Sequence, residues 1–229
     1  MRILDLLFPK FCVGCGKWGT YFCPKCIEDI TQGDLICPSC EREAVGGTTH
    51  PICRSKWKLD GLWSLGAYKD PLRKAIQKLK YSYVSELAEV LTDLMISYWA
   101  RYTPQFFEEI KEGGEWIIVP VPLHLRRQKQ RGFNQSALIG QLLSKKLGLE
   151  YVETLKRIHY TKPQVELKSW QRKKNIKNAF SLSEHYTLDL KPSILLIDDV
   201  WTTGSTLKEC AYILKRGGAQ KVWAITLAR

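Results

Sequence analysis

ILLIDDVWTTGST, residues 194–206, sets two adjacent carboxylates and a Gly-centred run of hydroxyls directly behind a short apolar segment. The run Ile194–Ile197 is rich in β-branched residues and preceded by Pro192, so it reads as a central parallel strand buried on both faces. Asp198 and Asp199 then fall at its carboxyl end, where open α/β sheets bind ligands, and the sequence alone predicts that both are exposed. Vicinal hydroxyls suit paired carboxylate acceptors. A turn through Thr202, Thr203, Gly204, Ser205 and Thr206 into a helix offers hydroxyls and backbone N–H groups to a phosphate, with Gly204 letting the turn close. Any one of these residues taken singly reads as an acidic turn followed by a helix cap. Together and in this order they are what binding a phosphorylated ribose requires. Ser205–Arg216 follows as a helix with Leu207, Cys210, Ala211 and Leu214 on one face.

Outward from this segment the chain alternates between strand and helix patterns. Leu62–Tyr68, Trp116–Val121, Tyr151–Leu155 and Val222–Leu227 read as strands. Asp70–Tyr81 reads as a helix, and so does Ser85–Arg101, with Leu87, Val90, Leu91, Leu94, Met95 and Tyr98 as its buried stripe. Thr103–Gly114 reads as a connection with little regular structure. LHLRRQKQRGFNQS, residues 123–136, reads as a basic turn leading into a helix that runs to Leu147, a second anion site of the strand-turn-helix kind. Lys156–Lys174 reads as a long polar loop of the functional sort, with Asn178–Leu182 as its partner strand. The pattern predicts an α/β fold with a mostly parallel sheet flanked by helices.

At 229 residues, 45% of them hydrophobic and 25% charged, the chain is too apolar to be disordered. It has room for one ordinary domain, expected over 59–229, and a small accessory module over 1–58. No run approaches the roughly 20 apolar residues that span a bilayer. Asp5 and Pro9 interrupt the apolar start, so neither an anchor nor a signal peptide is expected and the protein is expected to be cytoplasmic, with no membrane insertion. A formal net charge of +12 favours polyanionic partners, phosphorylated metabolites or nucleic acid. The charge is clustered: Arg126, Arg127, Lys129 and Arg131 lie together, and between Lys156 and Lys177 eight basic residues face the single acid Glu166.

Seven of the eight cysteines lie between residues 12 and 53, six of them in the pairs Cys12/Cys15, Cys23/Cys26 and Cys37/Cys40. Such pairing in a chain without a secretory signal points to metal knuckles rather than disulfides. His50 and Cys53 repeat the spacing with imidazole replacing one thiolate. Tetrahedral Zn²⁺ accepts Cys₄ and Cys₃His sets, so the simplest partition is Cys12, Cys15, Cys23 and Cys26 in one structural site and Cys37, Cys40, His50 and Cys53 in another. The spacing also permits an interleaved partition. Cys210, on the apolar face of the last helix, reads as a core residue.

The pattern DDVxTTGxT, matched by Asp198–Thr206, resembles the phosphoribosyl diphosphate (PRPP) signature of type I phosphoribosyltransferases. Several further features extend the likeness over nearly the whole chain. They are the four knuckles, LKY at Leu79–Tyr81, VPVPL followed by RGFNQ, Gln164 with Arg172–Asn175, and Ala179–Phe180. Together these look like the ComF (ComFC) family of bacterial competence proteins. The departure is His50, where the family usually carries Cys.

That resemblance implies a zinc-ribbon module on a phosphoribosyltransferase core, acting in natural transformation and DNA uptake with a competence DNA helicase as partner. It implies that Asp198 and Asp199 hold the ribose hydroxyls, and that Val200, Trp201, Thr202, Thr203, Gly204, Ser205 and Thr206 cradle the 5′-phosphate. Mg²⁺ would accompany the diphosphate. Leu123–Arg127 would be the diphosphate loop, Lys156–Lys174 the closing loop, and Arg126, Arg131 and Arg172 the cations on the diphosphate or products. Asp199 would also serve as a base near the acceptor. The catalytic reading displaces diphosphate from ribose C1 through a cationic transition state. The rival reading is a non-catalytic adaptor that holds single-stranded DNA on its zinc ribbons and basic loops, with Tyr160 and Trp170 as stacking residues and the pocket either holding PRPP as a regulatory ligand or vestigial. A nucleobase-salvage enzyme explains the signature but leaves the cysteines without a purpose. His124, His159 and His185 are expected to be loop residues, and nothing in the sequence names the acceptor.

Overall fold

The computed structural model describes residues 9–81, 85–112, 115–159, 176–183 and 191–229. Its centre is a parallel five-stranded sheet ordered β1-β7-β6-β2-β3. The strands are β1 (Gly61–Gly66), β2 (Trp116–Pro120), β3 (Glu150–Tyr151), β6 (Ser193–Val200) and β7 (Lys221–Ala228). β6 is the middle strand, paired with β2 through Ile117↔Ile194 and with β7 through Asp198↔Thr226. Alternate side chains enter two cores. Leu195 and Ile197 of β6 join Trp63, Ile118 and Ile225 on one face, while Ile194 and Leu196 join Leu62, Val119 and Ala224 on the other. A strand covered on both faces has no solvent side, which is why it reads as unbroken apolar sequence.

The first face is covered by α2 (Leu72–Tyr81), α3 (Ser85–Tyr102), α4 (Pro104–Glu112) and α6 (Gln135–Leu147); the second by α7 (Ser205–Arg216) with the antiparallel ribbon of β4 (Leu155–Arg157) and β5 (Phe180–Leu182). Leu207, Cys210, Ala211 and Leu214 of α7 are buried as the sequence indicates.

Four sequence expectations change. Thr103–Gly114 is not irregular: Pro104 opens α4, where its missing N–H costs nothing, and Phe106 stacks on Trp223 at 3.8 Å and meets Trp116 edge-on at 5.7 Å. The buried stripe of α3 turns to Leu87, Ala88, Leu91, Thr92, Met95 and Trp99, with Val90, Leu94 and Tyr98 at its margin. Trp99 stacks on Trp63 at 5.4 Å, so an aromatic contact from β1 sets the helix rotation. Tyr151–Leu155 is not one strand, since β3 pairs with β2 and β4 leaves the sheet to pair with β5. The basic turn after β2 holds a helix of its own, α5 (Leu125–Arg131), N-capped by the His124 ring and closed by left-handed Gly132.

The cysteine-rich segment lies against this core. Its short helix α1 is Pro24–Glu28. Lys74 Nζ donates to Gly14 O at 3.2 Å, Lys10 pairs with Glu86, and Ala67 N donates to Thr31 O at 2.9 Å. Cys12, Cys23 and Cys26 belong to the same buried cluster as Leu72 and Leu91. No helix among the described residues is long and apolar enough to cross a membrane.

Candidate ribose phosphate site and metal centres

Asp198 and Asp199 stand near the end of β6 at the carboxyl edge of the sheet, and each is half-buried rather than exposed. The neighbouring elements hold both carboxylates. Ser136 Oγ, at the start of α6, donates to Asp198 Oδ1 at 3.1 Å, and the Asp199 backbone N–H donates to the same oxygen at 2.9 Å. Lys80 Nζ, at the end of α2, lies 2.7 Å from Asp199 Oδ2. Burial, reinforced by the charge of Asp199, pushes the Asp198 carboxyl up to about 7. Burial lowers the pKa of Lys80, but the Asp199 carboxylate outweighs it and the net shift is upward.

RGFNQS, residues 131–136, does the positioning. Asn134 caps α6 by accepting from Ser136 N at 3.1 Å and donates to Val121 O at 3.0 Å, which ties the helix to the end of β2. Gln135 Nε2 donates to Lys80 O at 3.1 Å, and Arg131 donates to Gln135 Oε1 at 3.4 Å. Arg131 is thus tied to the scaffold through Gln135, whereas Arg126 is exposed on α5. Arg172 lies outside the described residues, as do Gln164, Trp170 and most of the expected closing loop; Lys156 and Arg157 at its start are strand residues.

The loop after β6 makes a compact turn into α7. Thr203 Oγ1 and Ser205 Oγ are 2.8 Å apart, Lys208 Nζ donates to Thr203 O at 3.3 Å, and the same ammonium sits 5.0 Å from the Trp201 ring centre. Thr202 points to solvent and Trp201 is buried. Gly204 is the N-cap, left-handed at φ 65, so α7 starts without a side-chain cap. A Cβ on Gly204 would come within 2.2 Å of the Trp201 ring, so both the backbone and the packing demand glycine. Gly204→Ala is therefore expected to cost about 2 kcal/mol or more. Gly132→Ala, at φ 80 with open space around it, should cost about 1 kcal/mol of backbone strain alone. Thermal melting of the two variants against the wild type checks the difference.

Sequence reading missed Lys80, Ser136, Lys208 and Arg157 as parts of this site. Burial lowers the pKa of Arg157 and Arg127 lowers it further, while Cys210 and Asp198 oppose the shift, so this cation of β4 is within electrostatic reach of the carboxylate. His124 is more than a loop residue, since its Nδ1 accepts from Arg126 N at 3.2 Å. His159 is exposed, and His185 is outside the described residues.

The cysteines assemble in the simple partition. The ligand atoms of Cys12, Cys15, Cys23 and Cys26 all lie within 4.8 Å of one another, and so do those of Cys37, Cys40, His50 and Cys53. The two halves repeat one design. Cys12 N donates to Lys17 O and Gly16 N to Cys12 O; Cys37 N donates to Arg42 O and Glu41 N to Cys37 O. Glu41 takes the left-handed φ of 62 at the position where the first knuckle uses Gly16. Sγ of Cys15 and Cys23 are 3.7 Å apart. That is the edge of a tetrahedron with metal–sulfur bonds of about 2.3 Å, the zinc–thiolate length. Burial raises the Cys12 thiol, but backbone N–H groups of Cys15, Cys23 and Gly14 pull it down to about 6, the ionised form a metal requires. His50 Nε2 lies 2.9 Å from Glu43 O, which places the ring proton there and leaves the Nδ1 lone pair 3.4 Å from Cys40 Sγ. Both sites therefore offer four converging ligands suited to a structural metal ion such as zinc.

No protein-family model matches the chain. It is 34% identical over 220 residues to the DNA utilization protein YhgH of Salmonella typhi, covering 93% of this chain and 91% of that one. It is 31% identical over 221 residues to competence protein F of Haemophilus influenzae, covering 95% and 90%. The competence protein ComFC of Bacillus subtilis is 27% identical over 226 residues, covering 91% and 83%. With identity of this level running from the cysteine knuckles through the strand-end carboxylates, the chain belongs to the ComF family.

Proposed function

We propose that the protein binds PRPP at the carboxyl end of β6. Asp198 and Asp199 accept from the ribose hydroxyls, the loop from Val200 to Thr206 surrounds the 5′-phosphate, and Mg²⁺ arrives with the diphosphate. The observation that carries this reading is the half-buried carboxylate pair at the end of the central strand, directly before a Gly204 loop that opens a helix. Arg131 and Arg172 are the cations assigned to the diphosphate or the displaced products, with Arg126 on the exposed side of α5. Zinc fills both cysteine sites as a structural ion. Calorimetric titration with PRPP and Mg²⁺ tests binding. Diphosphate release with a panel of nucleobases tests whether the protein is a phosphoribosyltransferase or uses PRPP only as a ligand.

The names of the relatives, competence protein and DNA utilization protein, support a role in natural transformation and DNA uptake. In that role the protein binds single-stranded DNA and works beside a competence DNA helicase. The charge supports the DNA reading, because eight basic residues and one acid lie between Lys156 and Lys177. Binding is expected to show little sequence preference and to weaken steeply with salt. Neutralising Arg172, Lys173 and Lys174 together should reduce the slope of log affinity against log salt by about 2, from roughly 0.7 per phosphate contact on single strands. An unchanged slope would move the DNA surface elsewhere on the protein.

A further inference from the structure

The lysine on Asp199 is held by more than its charge. Lys80 and Asp199 side chains are 21% and 17% accessible, and the carbonyl of Lys80 is fixed by Gln135. The next residue, Ser136, holds Asp198. One short segment therefore sets the lysine backbone and the neighbouring carboxylate in register. The arrangement answers an electrostatic problem. A ligand with a phosphate and a diphosphate carries several negative charges, and two bare carboxylates at the mouth of its site would repel it. The ammonium of Lys80 cancels one of those charges while leaving acceptor oxygens for hydroxyls.

We propose that Lys80 is a positioning residue of the ribose phosphate site, orienting Asp199 as a hydroxyl acceptor and neutralising the carboxylate pair against a polyanionic ligand. This role rests on the PRPP reading above. Among the described residues, several groups act on the pair. Lys80 comes from α2 with Tyr68 near it, Ser136 from α6, Arg157 from β4 and Cys210 from α7. Lys80 is the one cation in direct contact with Asp199 among the described residues. Exposed surface pairs contribute little, but a pair this enclosed keeps its attraction in salt.

The test compares full-length wild type, Lys80→Met and Lys80→Arg by two measurements. The first follows the side-chain carboxyl signal of Asp198 by carbon-13 NMR across a pH titration of the ligand-free protein. Removal of the lysine charge, which holds the Asp198 carboxyl down, should raise the Asp198 titration by about one unit or more, and Arg should restore it. An unmoved titration overturns the proposal. The second is calorimetric titration with PRPP and Mg²⁺ between pH 6 and 8.5. Lys80→Met should weaken binding about tenfold or more, increasingly so as pH rises and Asp198 ionises, while Lys80→Arg stays near wild type. A loss that is the same at every pH and is not rescued by Arg makes the residue merely structural and overturns the proposal. Wild-type binding with an unaffected Met variant removes the role of Lys80 and leaves the PRPP reading standing. Wild-type protein that does not bind PRPP removes both.

Discussion

A protein carrying Asp198→Asn and Asp199→Asn is expected to show no PRPP binding by calorimetry while melting close to the wild type. Each single change removes a charged acceptor from a ribose hydroxyl, a loss of about 1.5–3 kcal/mol. The two single changes act on stability in opposite directions. Asn at 198 can still accept from Ser136 and from the Asp199 backbone, and it abolishes a carboxyl whose titration is raised from 3.8 to about 7. A carboxyl with a raised folded-state value favours the fold fully below 3.8 and loses that contribution as pH climbs towards about 7. The Asp198→Asn protein should therefore gain stability relative to the wild type over that range and melt at least as high at pH 8. Asp199→Asn strips the half-buried Lys80 of its carboxylate and should cost about 1–3 kcal/mol. Melting curves of both single variants at pH 5 and pH 8 separate these effects. Undiminished PRPP affinity in the double variant would end the ribose phosphate reading of β6, and the enzyme reading with it.

The second large effect concerns the metal centres. Elemental analysis of protein purified without chelators is expected to find two zinc equivalents. His50→Ala or Cys53→Ser should lower this to about one, and so should Cys26→Ser. The stability changes will differ, because the two sites are not equally embedded. Three of the four ligands in the Cys12 site are buried and share a core with Leu72 and Leu91, whereas only Cys37 is buried in the other. Zinc binding supplies about 10–16 kcal/mol to isolated zinc-finger peptides, so loss of a site embedded in the main core should lower the melting of the whole chain. Loss of the more open site should loosen residues 37–53 and leave the sheet folded. Unchanged zinc content in His50→Ala protein would discard the second centre. Absence of zinc from the wild type would discard both.

Two kinds of information separate in this chain. Features that reside in neighbouring residues were readable directly: the buried run Ile194–Ile197, the carboxylates behind it, the Gly204 turn, the apolar face of α7 and the Cys-x-x-Cys pairs. Each is set by chain chemistry within a few residues, by strand or helix period, by glycine's access to positive φ, or by the bite of two thiolates. Features that depend on which elements meet were not readable. α4 forms because Phe106 has Trp116 and Trp223 to pack against, and its own sequence carries no signal of those partners. α3 is rotated by Trp99 on Trp63. The knuckles pair as neighbours because each folds into its own turn, and the imidazole of His50 is aimed by a backbone carbonyl. Lys80 and Ser136, read from sequence as parts of a helix and of a basic turn, reach the carboxylates only because α2 ends and α6 begins at the same edge of the sheet. The sequence determined that two carboxylates stand before a glycine turn that opens a helix. The tertiary structure decided their burial, their charge and their partners, because a pKa and an ion pair depend on distances through space rather than along the chain.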